Sequence, residues 1–140
     1  MAVLTPETFE FVLTNELKRA LRSQNFVTLV LIEPQGGDPA TGLREIARLL
    51  HPELRETDLL AVDETTVSMV LLDADLQNSK RVIDRVMARL EHYHFATPLD
   101  IQVGAACCPT HGSDAEMLKR VAAAARTRVE RRDPRDTAQA

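Results

Sequence analysis

An arginine and an aspartate three residues apart, Arg55 and Asp58, stand directly before an apolar run in RETDLLAVDETTVSMVLLDAD, residues 55–75. A guanidinium can pair with phosphate, grip the edge of a base through two parallel bonds, or stack on it. A neighbouring carboxylate accepts from N–H donors. The same two residues can also be a solvated ion pair at a strand entrance, worth about 0–1 kcal/mol. As exposed charged positions they are expected to shift stability by less than about 0.5 kcal/mol when replaced. Further on, Arg81, Arg85 and Arg89 recur every four residues, which puts them on one face of a helix. That face is either a basic strip for a ligand carrying two phosphates or an ordinary solvated one.

Other chemistry-bearing residues point less far. The polar tip Asp63-Glu64-Thr65-Thr66 between two apolar runs reads most simply as a hairpin turn. His92, His94 and His111 with Cys107 and Cys108 lack the ligand spacings of a zinc site. The two cysteines are adjacent and have no distant partner, which argues against a disulfide framework and for a reducing, cytoplasmic setting. On an alternating strand one of them should point in and one out, with at least one in the core.

The elements that must position these residues follow from periodicity and punctuation. The chain has 140 residues, 44% hydrophobic and 27% charged, with a net charge of −4. That suits one soluble domain, here 1–132, with a frayed polar tail over 133–140. Nothing in the charge attracts nucleic acid or an anionic membrane, and no apolar run approaches a span. Thr5-Pro6-Glu7 opens a helix. The run 26–34 is a buried strand stopped by Pro34, QGGDPATG is a loop, and 43–50 is a short helix. Strands are expected at 57–62 and 67–72, an amphipathic helix at 75–91 and a strand at 99–108. A last helix, N-capped by Ser113 with Glu116 in a capping box, should run to about 132, its AAAA stretch (122–125) allowing close packing. The order α-β-α-β-β-α-β-α predicts an α/β (α+β) sandwich with a central, mainly antiparallel sheet.

Four strings in this order resemble the GGDEF family, the diguanylate cyclase fold related to class III nucleotide cyclases and polymerase palms. They are FEFVLTNELKRALRSQNFVTLVLIE, GLREIARLLHPELRETDLLAV, LLDADLQNSKRVIDRVMARL and LDIQVGAACCPTHGSDAEMLKRV. Together they cover about 9–126. The resemblance implies a palm-like fold and a bacterial signalling role. It also implies that Arg55 and Asp58 match the family's R-x-x-D inhibitory site, which binds cyclic di-GMP. Arg85 falls where that site adds an arginine from the following helix, with Arg81 and Arg89 as accessory basic residues. There the carboxylate would accept from the N1–H and N2–H₂ groups of guanine.

The catalytic half of the pattern is missing. The signature falls on Glu64-Thr65-Thr66-Val67-Ser68, or shifted by one on Asp63 to Val67, and neither register restores its glycines or its metal-binding third residue. Glu33 stands where the other metal carboxylate belongs, but Pro34 and Gln35 follow it instead of an acidic run. PQGGDPATG is too short for the guanine-reading segment, and the late phosphate-contacting lysine falls near Val129. Phosphoryl transfer needs a metal held by several carboxylates and a positioned nucleotide. The expectation is therefore no catalytic residue, no metal, no cofactor and no cyclase activity. The leading reading is an inactive module that binds cyclic di-GMP through Arg55, Asp58 and Arg85 and relays it to a protein partner or fused domain. The alternative is an interaction or scaffold domain that no longer binds nucleotide. A homodimer is left open.

Overall fold

The run Val27–Gln35 forms the central strand β1 of the computed structural model, which describes residues 3–131. Its partners are both antiparallel: β3, Val67–Leu72, on one side and β4, Asp100–Cys108, on the other. β2, Leu59–Val62, pairs with β3 as the expected hairpin. A short β5, Thr127–Arg128, adds to β4, so the strand order is β2-β3-β1-β4-β5. Leu4 donates its N–H to Leu60 O (2.8 Å), covering part of the β2 edge.

Four helices cover both faces. They are α1, Pro6–Ser23; α2, Pro39–Leu50; α3, Leu76–His92; and α4, Ala115–Ala124. Alternation along β1 divides the core between them. Val30 and Ile32 pack with Ile46 and Leu50 of α2 and Val86 and Leu90 of α3. Val27 and Leu29 pack with Leu13 and Leu17 of α1 and Leu118 and Ala122 of α4. With both faces covered, every residue of β3 is buried, the pattern of a two-sided core rather than a half-wet sheet.

Several boundaries differ from expectation for identifiable reasons. β1 runs through Pro34 to Gln35, because pairing with β3 ends at Ile32 and the missing N–H falls where the strand has one neighbour. α2 begins four residues early, with Asp38 as N-cap and Pro39 at its first position. β2 starts at Leu59, since Arg55–Asp58 close a turn through Asp58 N–H to Arg55 O (3.0 Å).

The C-terminal helix is the largest correction. Asp114, not Ser113, caps it, accepting from Met117 N (2.8 Å), and it ends at Ala124 rather than near 132. The chain then turns so that β5 pairs with Gln102 and Val103, and Val129 N–H reaches Ile101 O (2.8 Å). Val129 is 1% exposed; burying it and pairing the β4 edge outweigh another helical turn of mostly polar residues. Of the alanine stretch expected to pack closely, Ala122 is buried while Ala124 and Ala125 are exposed; a Cβ at Gly104 would run into the Ala122 carbonyl, so only glycine lets α4 lie this close to β4. The expected tail, 133–140, lies outside the described residues.

Both cysteines are buried, against the one-in, one-out expectation, because both faces of β4 are covered at the end that carries them, Ala106–Cys108. Cys108 sits in the α1/α4 layer, and burial, then the neighbouring Cys107, raises its thiol pKa above the ordinary value. Thiolate is the reactive form. Folded protein is therefore expected to leave both thiols unmodified by an aromatic disulfide reagent, and denatured protein to titrate both. Fast release of one equivalent from folded protein would contradict this burial.

Candidate functional site

The turn that closes Arg55–Asp58 places the R-x-x-D pair under the C-terminal end of β3. Asp58 is 2% exposed. Its carboxylate accepts from Arg55 N (2.9 Å), Leu72 N (3.2 Å), Arg55 Nη2 (3.2 Å) and Arg55 Nε (3.4 Å). Arg55 Nη2 also donates to Leu72 O at 2.6 Å. Both backbone groups of Leu72 are thus held by one arginine–aspartate pair. Arg55 itself stays 60% exposed at its side chain. The pair is therefore not the simple solvated one: its arginine is presented to water, while its aspartate belongs to the framework. Arg55 is exposed as expected, whereas Asp58 is buried, against the expectation of an exposed charged position.

The chain beyond Leu72 is equally fastened. Asp73 takes a left-handed backbone (φ 57). Thr28 Oγ1 donates to Ala74 O (2.8 Å), and Asp75 caps α3 by accepting from Asn78 N (2.7 Å). The junction between β3 and α3 sets where the arginines of α3 stand.

Arg85 and Arg89 face the turn of 3-10 helix His51–Glu53 that comes after α2. Glu53 bridges them, Oε2 to Arg85 Nε at 3.1 Å and Oε1 to Arg89 Nε at 2.9 Å. Its side chain is 12% exposed, while the two arginines are 55% and 53% exposed. Arg81 is exposed as well, one turn toward the start of α3. The arginine pair and Glu53 line an open groove of about 550 Å³, whose apolar walls come from Leu49, Ala88 and Tyr93, with His92 at its side. The carboxylate that holds the α3 arginines therefore lies only a short stretch of chain before Asp58, which holds Arg55. Arg55 is not among the groove's lining residues.

Glu53 is a residue that sequence reasoning missed. The available signal was its position two residues before Arg55 in a chain segment bent by Pro52.

At the opposite end of the hairpin, the tip is an Asp-anchored turn. Asp63 Oδ1 accepts from Thr65 N (2.8 Å) and Thr66 N (2.7 Å), and Asp63 N–H closes onto Thr66 O (3.0 Å). This local hydrogen bonding is what aspartate contributes at turns. Glu33, the carboxylate considered as a metal ligand, forms an ion pair with Arg126, beside Thr66 Oγ1 at 3.5 Å. Arg126 stands just before β5, so the shortened α4 delivers a guanidinium to that carboxylate. Val129, at the position of the family's late lysine, is core. His111 Nδ1 accepts from Cys107 N (2.9 Å). Among the described residues no three His, Cys, Asp or Glu side chains converge so as to hold a metal ion. Among them too, no helix is long and apolar enough to cross a membrane.

No protein-family model and no curated protein matches the sequence. Solved structures do match. The GGDEF domain of YfiN (TpbB) from Pseudomonas aeruginosa superposes with a TM-score of 0.75 over 88% of this chain and 81% of its own, at 20% identity. The active GGEEF domain of a diguanylate cyclase from Vibrio cholerae gives the same TM-score, 0.75, over 88% of each chain at only 12% identity. The diguanylate cyclase SiaD of P. aeruginosa, solved with its activator SiaC, matches 88% of this chain and 53% of its own, with a TM-score of 0.72 and 22% identity. These neighbours share the fold over 88% of this chain: in fold, the chain is a GGDEF-like domain.

Proposed function

We infer that this protein is a catalytically inactive GGDEF-like signalling domain that binds cyclic di-GMP through Arg55, Asp58 and Arg85 and passes the bound state to a protein partner. The observation that carries the reading is the presentation of Arg55. A buried carboxylate and a backbone carbonyl aim its guanidinium, yet most of the side chain faces solvent. A carboxylate offers about four acceptor positions, and Asp58 already receives four donors. Guanine N–H groups can reach it by replacing the two side-chain donors of Arg55, which then turns to the base edge or a phosphate of the ligand. The backbone amides of Arg55 and Leu72 keep Asp58 in place during that exchange.

Inactivity is supported by the chemistry at the other end of the hairpin. Glu33 is neutralised by Arg126, and side-chain-bearing residues fill the tip where the family's glycines approach nucleotide. Purified protein is expected to form no cyclic di-GMP from GTP with Mg²⁺ or Mn²⁺. Product above a no-enzyme blank, abolished by Glu33→Ala, would overturn that expectation.

The rival reading, a docking domain without nucleotide, is favoured by one observation: Phe11 on α1 is 69% exposed. Calorimetric titration with cyclic di-GMP, with GTP/Mg²⁺ as control, separates the two. Low-micromolar or tighter binding of the dinucleotide alone supports the receptor; silence with both ligands leaves the docking domain. SiaD with its activator SiaC illustrates a GGDEF-fold protein engaged by a separate protein.

A further inference from the structure

Glu53 is an anion held between two cations at the mouth of a groove. Its two oxygens each take one Nε–H, from Arg85 at 3.1 Å and from Arg89 at 2.9 Å. Two acceptor oxygens of this kind, on one compact anion, are what a phosphate group also offers to a pair of guanidiniums. The arrangement carries two positive charges against one negative. It therefore remains attractive to a further anion after Glu53 is counted, and both arginines are more than half exposed. Beside them Leu49, Ala88 and Tyr93 line the groove of about 550 Å³, room for the planar, weakly polar body of a base.

We propose that Arg85 and Arg89 form a phosphate-binding site facing this groove, and that Glu53 is an internal competitor occupying it in the unliganded protein. Glu53 sits on the short 3-10 turn after α2, and its departure breaks no bond of the sheet. An incoming phosphate must exchange places with the carboxylate, so the affinity measured for wild-type protein is the intrinsic affinity reduced by the fraction of molecules in which Glu53 has vacated. Glu53 is in this sense a residue that sets affinity without touching ligand. The proposal rests on the receptor reading for the identity of the natural ligand, and it adds Arg89 as a phosphate contact and Glu53 as the residue that holds the site shut.

The competitor predicts a gain of affinity where an ordinary contact predicts a loss. Glu53→Gln keeps the shape and one acceptor but removes the charge, and is expected to bind cyclic di-GMP about 5- to 10-fold more tightly than wild type, equivalent to about 1–1.4 kcal/mol. Every other change in the site is expected to weaken binding. The gain should vanish in the Glu53→Gln/Arg89→Ala double variant, the non-additivity expected of groups that interact directly. Inorganic pyrophosphate, titrated in parallel, should show the same ordering at lower affinity. Circular dichroism and thermal melting of each variant establish that the comparison is between folded proteins, and Glu53→Ser provides a second neutral replacement.

Wild type that binds the dinucleotide while Glu53→Gln and Glu53→Ser bind equally or less well would overturn the competitor and leave the receptor standing. Binding by the neutral variants alone would support the competitor and remove cyclic di-GMP as a ligand of the native chain. Silence of wild type and both neutral variants toward both probes would overturn both.

Discussion

Asp58→Ala is expected to cost about 2–4 kcal/mol of folding stability, a large share of what a domain of this size has. The side chain is 2% exposed and serves two backbone amides besides the guanidinium of Arg55. Alanine leaves the Leu72 amide without its acceptor in a buried position. An unsatisfied buried donor costs about 1–3 kcal/mol. Loss of the charge adds the contact to Arg55, discounted because that arginine is mostly in water and can be rehydrated. The thermal midpoint should fall by roughly 10 °C. Asp58→Asn, which keeps one acceptor oxygen, should lose about half as much. Arg55→Ala should lose about 1 kcal/mol or less, because its exposed side chain gives up one good bond to Leu72 O. A melting curve for Asp58→Ala that overlays wild type would show that the Asp58 carboxylate does not hold the β3 end.

That ordering shows which parts of the site were legible in the sequence. The identities Arg55, Asp58 and Arg85 could be read, as could the helix that carries the arginine strip, because apolar periodicity places α3 to within one residue. What pairs with what could not. Asp58 reads as an exposed acid in a polar stretch, and only the turn from Arg55 shows that it points under β3. Glu53 and Arg126 are ordinary charged letters in sequence. Each acquires its role from a partner far along the chain, Arg85 and Arg89 in one case and Glu33 in the other.

The missed end of α4 has the same origin. Alanine and arginine favour helix locally, but a β4 edge in need of a partner and a buried site for Val129 are tertiary facts. The early start of α2 is different: Asp38-Pro39 is an N-cap followed by a first-turn proline, a local signal that the surrounding glycines masked.

Arg55→Ala is expected to weaken cyclic di-GMP binding by roughly 10- to 100-fold, since a charge-assisted contact contributes about 1.5–3 kcal/mol. The geometry makes this larger than the effect of removing charge in general. Arg19, on α1, is similarly exposed, paired with Glu16 at 2.6 Å and outside the lining of the α3 groove, so Arg19→Ala removes the same net charge and should weaken binding far less than Arg55→Ala. Arg55→Lys keeps the charge but not the planar fork, and should recover little if the guanidinium grips a base edge and most if it meets only phosphate. Arg85→Ala should weaken binding and also reduce its dependence on salt, because a lost phosphate contact leaves fewer ionic interactions to screen. Each measurement belongs well below the melting midpoint, where the modest destabilisation of Arg55→Ala leaves the protein folded. Asp58→Asn then tests the exchange mechanism. At a temperature where it remains fully folded it should still bind worse than wild type, because an amide cannot supply the charge that reinforces both guanine donors. If Arg19→Ala and Arg55→Ala lost affinity equally, the attraction would be diffuse charge and not a site. Wild-type protein that ignores the dinucleotide at high micromolar concentration would put the docking-domain reading in front.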